Sequence, residues 1–435
     1  MLNRFLLLLC VVVIAFGVII DFPNGLIAIG FVFLLAGIVL VTFRHFTEEK
    51  EFVTMVFLVA LALRMAFGVF IHVFELRPFF GGDAVAYDAN GMALVDGWLG
   101  RESLSETILY QTDGSSGVGW GMGYIIGAIY LLLGRNILAA QSFCAVIGAA
   151  TAPMVFFCSK KIYNNMSTAK FAAVGIAIFP SFVIWSAQLL KDGLIIFLLV
   201  ATMTMVLQLQ ERFSYLAFVL LVVSLLGILS LRFYIFYMVI VAVAGSFVIG
   251  LSSSSRSILR NTIVLAMVGF ALTYLGVGQN ASSEYKIFGN LERVQSSRSD
   301  LARAADSGFG QETDVSTTEG AISAMPLGFA YLMFAPFPWQ AANLRQAITI
   351  PEVLVWWAMI PLLLSGLAYT IKNRLRNAFP ILIFSLLLTL AYSIFQGNVG
   401  TAYRQRTQIQ VFLFILVGVG WTVYKEEREN KRLTR

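Results

Sequence analysis

A carboxylate follows a glycine pair at Gly81-Gly82-Asp83, and Tyr87 and Asp88 come about one helical turn later. Two glycines let the backbone turn tightly. The run that follows, with Ala89, Ala93 and Val95, reads as a helix capped by Asp83. First-turn amides and the positive end of a helix dipole keep such a side chain ionised, fit for a base or a cation ligand; a plain surface cap is the competing reading. Three more stretches carry groups of complementary chemistry. Lys191-Asp192 ends the run Phe179-Pro180-Ser181 to Leu190 with almost no loop around it, Arg232 stands in Leu231-Arg232-Phe233-Tyr234, and Asn398 to Arg406 reads NVGTAYRQR. Charge at membrane depth is costly and usually has a task. Arginine presents a forked, permanent donor set matched to phosphate oxygens. Lys191, Arg232, Arg404 and Arg406 are therefore candidate phosphate contacts, against the alternatives of a short outer turn and interfacial snorkelling. Pro336-Phe337-Pro338-Trp339 followed by Gln340 offers an aromatic wall with amides, the means by which sugars are held, or else an interfacial Trp anchor.

These groups are separated by apolar runs. With 435 residues, 59% of them hydrophobic and 12% charged, and a mean hydropathy of +0.83, the chain reads as an all-α polytopic membrane protein. Runs at 4–20, 25–43, 52–74, 137–158, 169–188, 193–209, 214–230, 233–251, 260–277, 351–371, 378–396 and 408–424 give about twelve transmembrane helices. The first has no small-residue cleavage site behind it and is kept as a helix. The stretches 121–133 and 327–338 are short and broken by Gly or Pro, as re-entrant or interfacial helices are. Four parts follow: an N-terminal hairpin at 1–51, a module at 52–277 with an outer loop at 75–120, a loop at 278–350 with a re-entrant segment, and C-terminal helices with a basic tail at 351–435. Cys10, Cys144 and Cys158 lie inside apolar runs and give neither a disulfide framework nor a metal spacing, and His45 and His72 are too few for zinc.

Lys160-Lys161, Arg256 with Arg260, Lys372 to Arg376 and the tail from Lys425 fall on the side of the amino terminus and mark it as cytoplasmic. The net charge of +6 thus follows topology and anionic lipid and gives no case for nucleic acid. On this map the 75–120 loop, Lys191-Asp192, Arg232, the 278–350 loop and Asn398 to Arg406 reach one outer face. The stretch SSRSDLARAADSGFGQETDVSTTEG, polar and rich in small residues, reads as a mobile loop. Arg64 lies within a span opposite nothing identifiable; pairing with Glu75 or with another acid is open, and no role is assigned to it.

The Gly-Asp-Ala context with Tyr87 behind it, the Pro-ended helix before Lys191-Asp192 and the Tyr403-Arg404-Gln405-Arg406 stretch resemble the GT-C glycosyltransferases. These are integral membrane enzymes that take a sugar from a polyprenyl-phosphate carrier, among them those similar to protein mannosyltransferases and glycosyltransferase family 39. The resemblance implies a GT-C-like fold in the plasma (inner) membrane with an extracytoplasmic active site. It implies Asp83 as the catalytic carboxylate, Lys191, Arg404, Arg406 and Arg232 as donor-phosphate contacts, and Tyr87, Asn398 and Tyr403 as substrate contacts; Trp339 and Gln340 lie in the 278–350 loop, outside the resemblance, and are substrate contacts on the aromatic-wall reading alone. A divalent cation, magnesium or manganese, held by Asp83 with Asp88 or Asp192 stays open, and no other cofactor is implied. The implied partners are a polyprenyl-phosphate sugar and a glycan, lipid or protein acceptor. An O-antigen or exopolysaccharide polymerase would instead depend on loop arginines, and a flippase or exporter on charges lining a path through the spans.

Overall fold

The computed structural model describes residues 3–5, 8, 11–12, 15, 19, 21–101, 119–249, 255–275, 277, 290–303, 307–310, 312–341 and 343–433. In chain order the helices used below are α1 (Asn24–His45), α2 (Lys50–Val73), α3 (Asp83–Trp98), α4 (Gly121–Leu133), α5 (Ile137–Tyr163), α6 (Met166–Ile178), α7 (Pro180–Ser186), α8 (Asp192–Glu211), α9 (Tyr215–Leu231), α10 (Phe233–Ile249), α11 (Ser255–Tyr274), α12 (Leu291–Arg303), α13 (Thr318–Phe334), α14 (Leu344–Asn373), α15 (Leu375–Phe395) and α16 (Val399–Leu433). Among the described residues the regular structure is helical, apart from one isolated antiparallel bridge between Gly308 and Asn398.

The protein is a helical, polytopic membrane protein. Eight described helices are long and apolar enough to cross a bilayer, and the pair α6 and α7, bent by 53°, makes a ninth if counted as one span. Helices α9 and α10, at 17 residues each, are shorter than those eight. Most of the 4–20 run lies outside the described residues, as does Cys10. Helix α4 has the 13 residues expected of a non-spanning segment, while of the stretch at 327–338 the part up to Phe334 is the end of a longer helix, α13, that begins at Thr318, and the rest follows that helix.

Two compact units divide the chain. The first holds Met1–Ser159, Ala169–Ala201 and Ser224–Phe233; the second holds Lys160–Thr168, Thr202–Val223 and Tyr234–Arg435. Within the first, α3 packs along α4, where the side chain of Ile126 occupies the space that a Cβ on Gly91 would need. Within the second, α14 runs against α16 through Gly366 and Gly420, each facing a backbone carbonyl of the other helix. Small residues at such crossings let membrane helices approach backbone to backbone.

The structure corrects four expectations. Gly82, not Asp83, occupies the capping position of α3, and Asp83 is the first helical residue, with no side-chain cap bond at this end. Lys191 and Asp192 are buried, because the irregular stretch 187–191 lies inside the first unit rather than forming an outer turn. Val399 to Arg406 is the largely buried first part of α16 and not a connection between spans. The stretch at 296–320 is also packed, over its described residues. Leu291 and Val294, three apart on α12, join Val315, Ala321, Ala324 and Ile394 in one apolar cluster, so few large side chains suffice.

Candidate functional site

In the first unit the site is built around a broken helix. Pro180 has no N–H to offer the carbonyl of Ile176 four residues back, and it holds Phe179 extended, so α6 stops and α7 restarts at an angle. Arg64 of α2, 1% exposed, supplies the missing donors. Its Nη2 donates to Ile176 O at 3.2 Å, its Nη1 to Ala177 O at 3.2 Å and Ala60 O at 3.0 Å, and its Nε to Ser186 Oγ at 2.7 Å. The cation for which sequence offered only Glu75 or an unidentified acid is thus the cap of a helix end, the re-satisfaction that a break at membrane depth requires. Gly148 and Gly193 leave room for Ser186 on either side; a Cβ on Gly193 would sit 2.6 Å from Ser186 Cβ.

Beyond this anchored break the chain turns into α8, with Lys191 just before it and Asp192 in its first turn. Asp192 is fully buried and pairs with Arg232, whose Nη2 donates to its Oδ1 at 3.2 Å. The Lys191 Nζ lies 5.9 Å from the centre of the Tyr87 ring. Gly119, at φ +57°, passes close by: a Cβ there would lie 2.9 Å from that Nζ and would collide with Leu231 O. The first unit therefore brings together Tyr87, Lys191, Asp192 and Arg232 from the sequence candidates. Asp83 is exposed one turn before Tyr87 on the same face of α3.

Asp88 faces another way. Its Oδ1 accepts from Tyr130 Oη at 2.5 Å and its Oδ2 from Arg135 Nη2 at 2.7 Å, which ties α3 to the far end of α4. Burial alone would raise this carboxyl, but the Arg135 and Tyr130 hydrogen bonds and the Arg77 charge hold it below its ordinary value. Nearby, Arg77 bonds His72 Nδ1 at 2.7 Å and donates to Gln141 Oε1 at 3.0 Å, and His72 Nε2 is 3.1 Å from Asp21. The oxygens of Asp88 and one oxygen of Asp192 are therefore engaged as ion pairs. Among the described residues no three His, Cys, Asp or Glu side chains group as metal ligands do.

The second unit holds the remaining candidates. Asn398 caps α16, its Oδ1 accepting from Gly400 N at 2.8 Å and from Ser307 Oγ at 3.0 Å. Tyr403 donates to Glu352, and the Arg406 guanidinium lies 5.1 Å from the Tyr403 ring centre. Arg406, fully buried, directs Nη1 at Met333 O (3.1 Å) and Ala335 O (2.9 Å), while its Nε and Nη2 have no hydrogen-bond partner among the described residues. Arg404 is half-buried. Trp339 is 72% exposed and stacks on Phe337 at 5.3 Å, and Gln340 accepts from Tyr331 Oη at 3.1 Å.

Sequence reasoning does not single out Glu352, Tyr130, Arg135, Arg298 or the amides of Gln396, Gln405 and Gln408. Glu352 carried a signal, a lone acid after Pro351 in an otherwise apolar run. Tyr392 donates to Gln408 Oε1 at 2.7 Å and meets the Tyr234 hydroxyl at 3.3 Å, and Gln396 donates to Gln405, so α15 and α16 share a buried polar seam. No protein-family model matches the chain, and no curated protein matches it either.

Proposed function

We propose that the chain is a membrane glycosyltransferase that moves a sugar, with inversion, from a polyprenyl-phosphate carrier to a hydroxyl of a glycan, lipid or protein acceptor in cell-envelope synthesis. The carrying observation is the first-unit cluster: a lysine and an arginine, both buried, at the start of α8, beside an α3 face that bears Tyr87 and Asp83. A helix N-terminus next to fixed cations suits a phosphate, and an irregular backbone segment at membrane depth suits a binding site. Asp83 takes the proton of the acceptor hydroxyl as its oxygen bonds to the anomeric carbon. The bond from that carbon to the phosphate oxygen breaks, and the phosphate leaves with the electron pair, its charge met by Lys191 and Arg232. Within the first unit Tyr87 contacts sugar; within the second unit, taken by itself, Arg404 and Arg406 are phosphate candidates and Trp339 and Gln340 sugar candidates. Asn398 and Tyr403, engaged as a helix cap and as the donor to Glu352, serve as anchors. No step runs through a metal.

The same proposal takes the chain as a GT-C-like fold with twelve crossings, counting 4–20, the bent pair, α9 and α10 with the eight long helices, and an extracytoplasmic site in the plasma membrane. The test is to supply purified protein with polyprenyl-phosphate monosaccharides. Wild type is expected to release polyprenyl phosphate, with Asp83→Asn slower by about 10² or more. Equal release, or none with any monosaccharide donor, removes the transferase reading. A polymerase reading is favoured by one observation, the unengaged donors of Arg406. It requires that Arg406→Gln abolish chain growth on a lipid-linked oligosaccharide while Asp83→Asn does not.

A further inference from the structure

Between the N-terminal end of α16 and the segment after α13, the second unit holds a half-open cavity of about 210 Å³ lined by Ser307, Gly308, Tyr331, Pro336, Phe337, Gln340, Gln346 and Val399. Its walls are fixed before any ligand arrives. Tyr331 is stacked on Phe309 with ring centres 4.1 Å apart and planes within 4°, and its hydroxyl is held by Gln340. Phe337 stands at 86° to Tyr331, which makes a right-angled aromatic corner. Ser307 is tied to Asn398 through its hydroxyl and to Val399 N through its carbonyl, and Gln346 N is held by Asn343.

Among the described residues, no charged side chain lines this cavity. Hydroxyl and amide groups set against an aromatic corner suit a neutral polyhydroxy ring, whose apolar C–H face packs on an aromatic face while its hydroxyls exchange hydrogen bonds with amides. They do not suit a phosphate, a carboxylate or an acyl chain. The volume admits one ring. At the rim, exposed Trp339 continues the aromatic surface from Phe337 towards Trp357, with ring centres 5.3 and 6.1 Å apart, a platform for the next ring of a chain.

We propose that this cavity is a subsite for one neutral pyranose of a glycan, with its neighbour laid on Trp339. Resting on the transferase reading for its role, it makes the acceptor a neutral glycan rather than a lipid or a protein. The ordered walls remove part of the ordering cost of binding, and a lone ring is expected to bind with a Kd of ~1 mM.

The experiment is saturation-transfer NMR on the full chain in nanodiscs, with methyl glycosides of glucose, galactose, mannose and N-acetylglucosamine, the matching disaccharides, and methyl glucuronide. At least one neutral glycoside is expected to saturate wild type, its disaccharide to bind more tightly, and the glucuronide to bind more weakly. Gln340→Ala, at an exposed position, is expected to weaken the monosaccharide at least five-fold. Trp339→Ala is expected to remove the gain of the disaccharide. Binding by no neutral glycoside, or affinities unchanged in both variants, overturns the subsite. Asp83→Asn separates the two proposals. Lost polyprenyl-phosphate release with intact glycoside binding supports both. Binding that depends on Gln340, in a wild type that releases nothing, leaves the subsite standing and ends the transferase reading.

Discussion

Arg64 in the first unit and Arg406 in the second do the same job with different completeness. Each is buried, and each takes carbonyls at the end of a helix followed two residues later by proline, α6 before Pro180 and α13 before Pro336. Arg64 engages all three of its nitrogens. Among the described residues Arg406 engages only Nη1, and Trp356 Nε1 already donates to the same Met333 carbonyl at 2.9 Å. The nitrogens it leaves over, Nε and Nη2, form the side-on edge that matches a phosphate or carboxylate in two parallel bonds. The difference separates an arginine whose whole donor set closes the fold from one that holds a helix end with part of its donors and has no partner for the rest among the described residues.

The largest expected effect breaks the first half of that comparison. Arg64→Met leaves the carbonyls of Ile176 and Ala177 without their donors in a buried setting, which costs about 3 kcal/mol. A thermal melt of the purified protein in detergent is expected to fall by several degrees. Arg64→Lys, a single-point donor in place of a fork, recovers only part of the loss. An unchanged melt for Arg64→Met would remove the capping role.

Arg406 sharpens the second half. With Trp356 still donating to Met333 O, Arg406→Gln is expected to lose about 1 kcal/mol of stability. In the same preparation it is expected to lose at least ten-fold in polyprenyl-phosphate release. A melt that drops as far as that of Arg64→Met, with release per folded molecule unchanged, would show that the two arginines are alike after all.

The sequence made the membrane class, the long spans and the short α4 legible, because apolar run length is a local property. It also picked out Lys191, Asp192, Arg232 and Tyr87, which the first unit assembles. It did not show which polar residues serve as fold anchors. Asn398 and Tyr403 look like ligands in NVGTAYRQR, yet their partners, Ser307 and Glu352, lie 91 and 51 residues away. Arg64 was opaque for the same reason, since its acceptors are main-chain carbonyls 112 and 113 residues on, and a carbonyl has no sequence signature. The placement of α12 escaped a composition argument because Ala302 and the buried Arg298 cover surface that large apolar residues usually cover.

The smallest expected effect concerns Asp88, whose oxygens are engaged as completely as the Arg64 nitrogens but at the rim of the first unit. Its carboxyl is held below the ordinary value of 3.8: burial opposes this, and the bonds from Arg135 and Tyr130 with the Arg77 charge outweigh it. A depressed carboxylate adds stability that is present above the unfolded-state value and is lost as pH falls through the lower folded-state value. Above about pH 5 the clamp is therefore complete, and Asp88→Asn is expected to lower stability by about 1 kcal/mol there, since an amide keeps an acceptor for Tyr130 but gives up the charge. As pH drops below about 4, wild type is protonated towards the variant, and the two melting curves should converge. The measurement is the melting temperature of both proteins from pH 7 down to pH 3. A gap that stays constant across that range, or is missing at pH 7, would show that Arg135 does not act through this carboxylate and that the α3–α4 hairpin is held by its glycine-mediated packing alone.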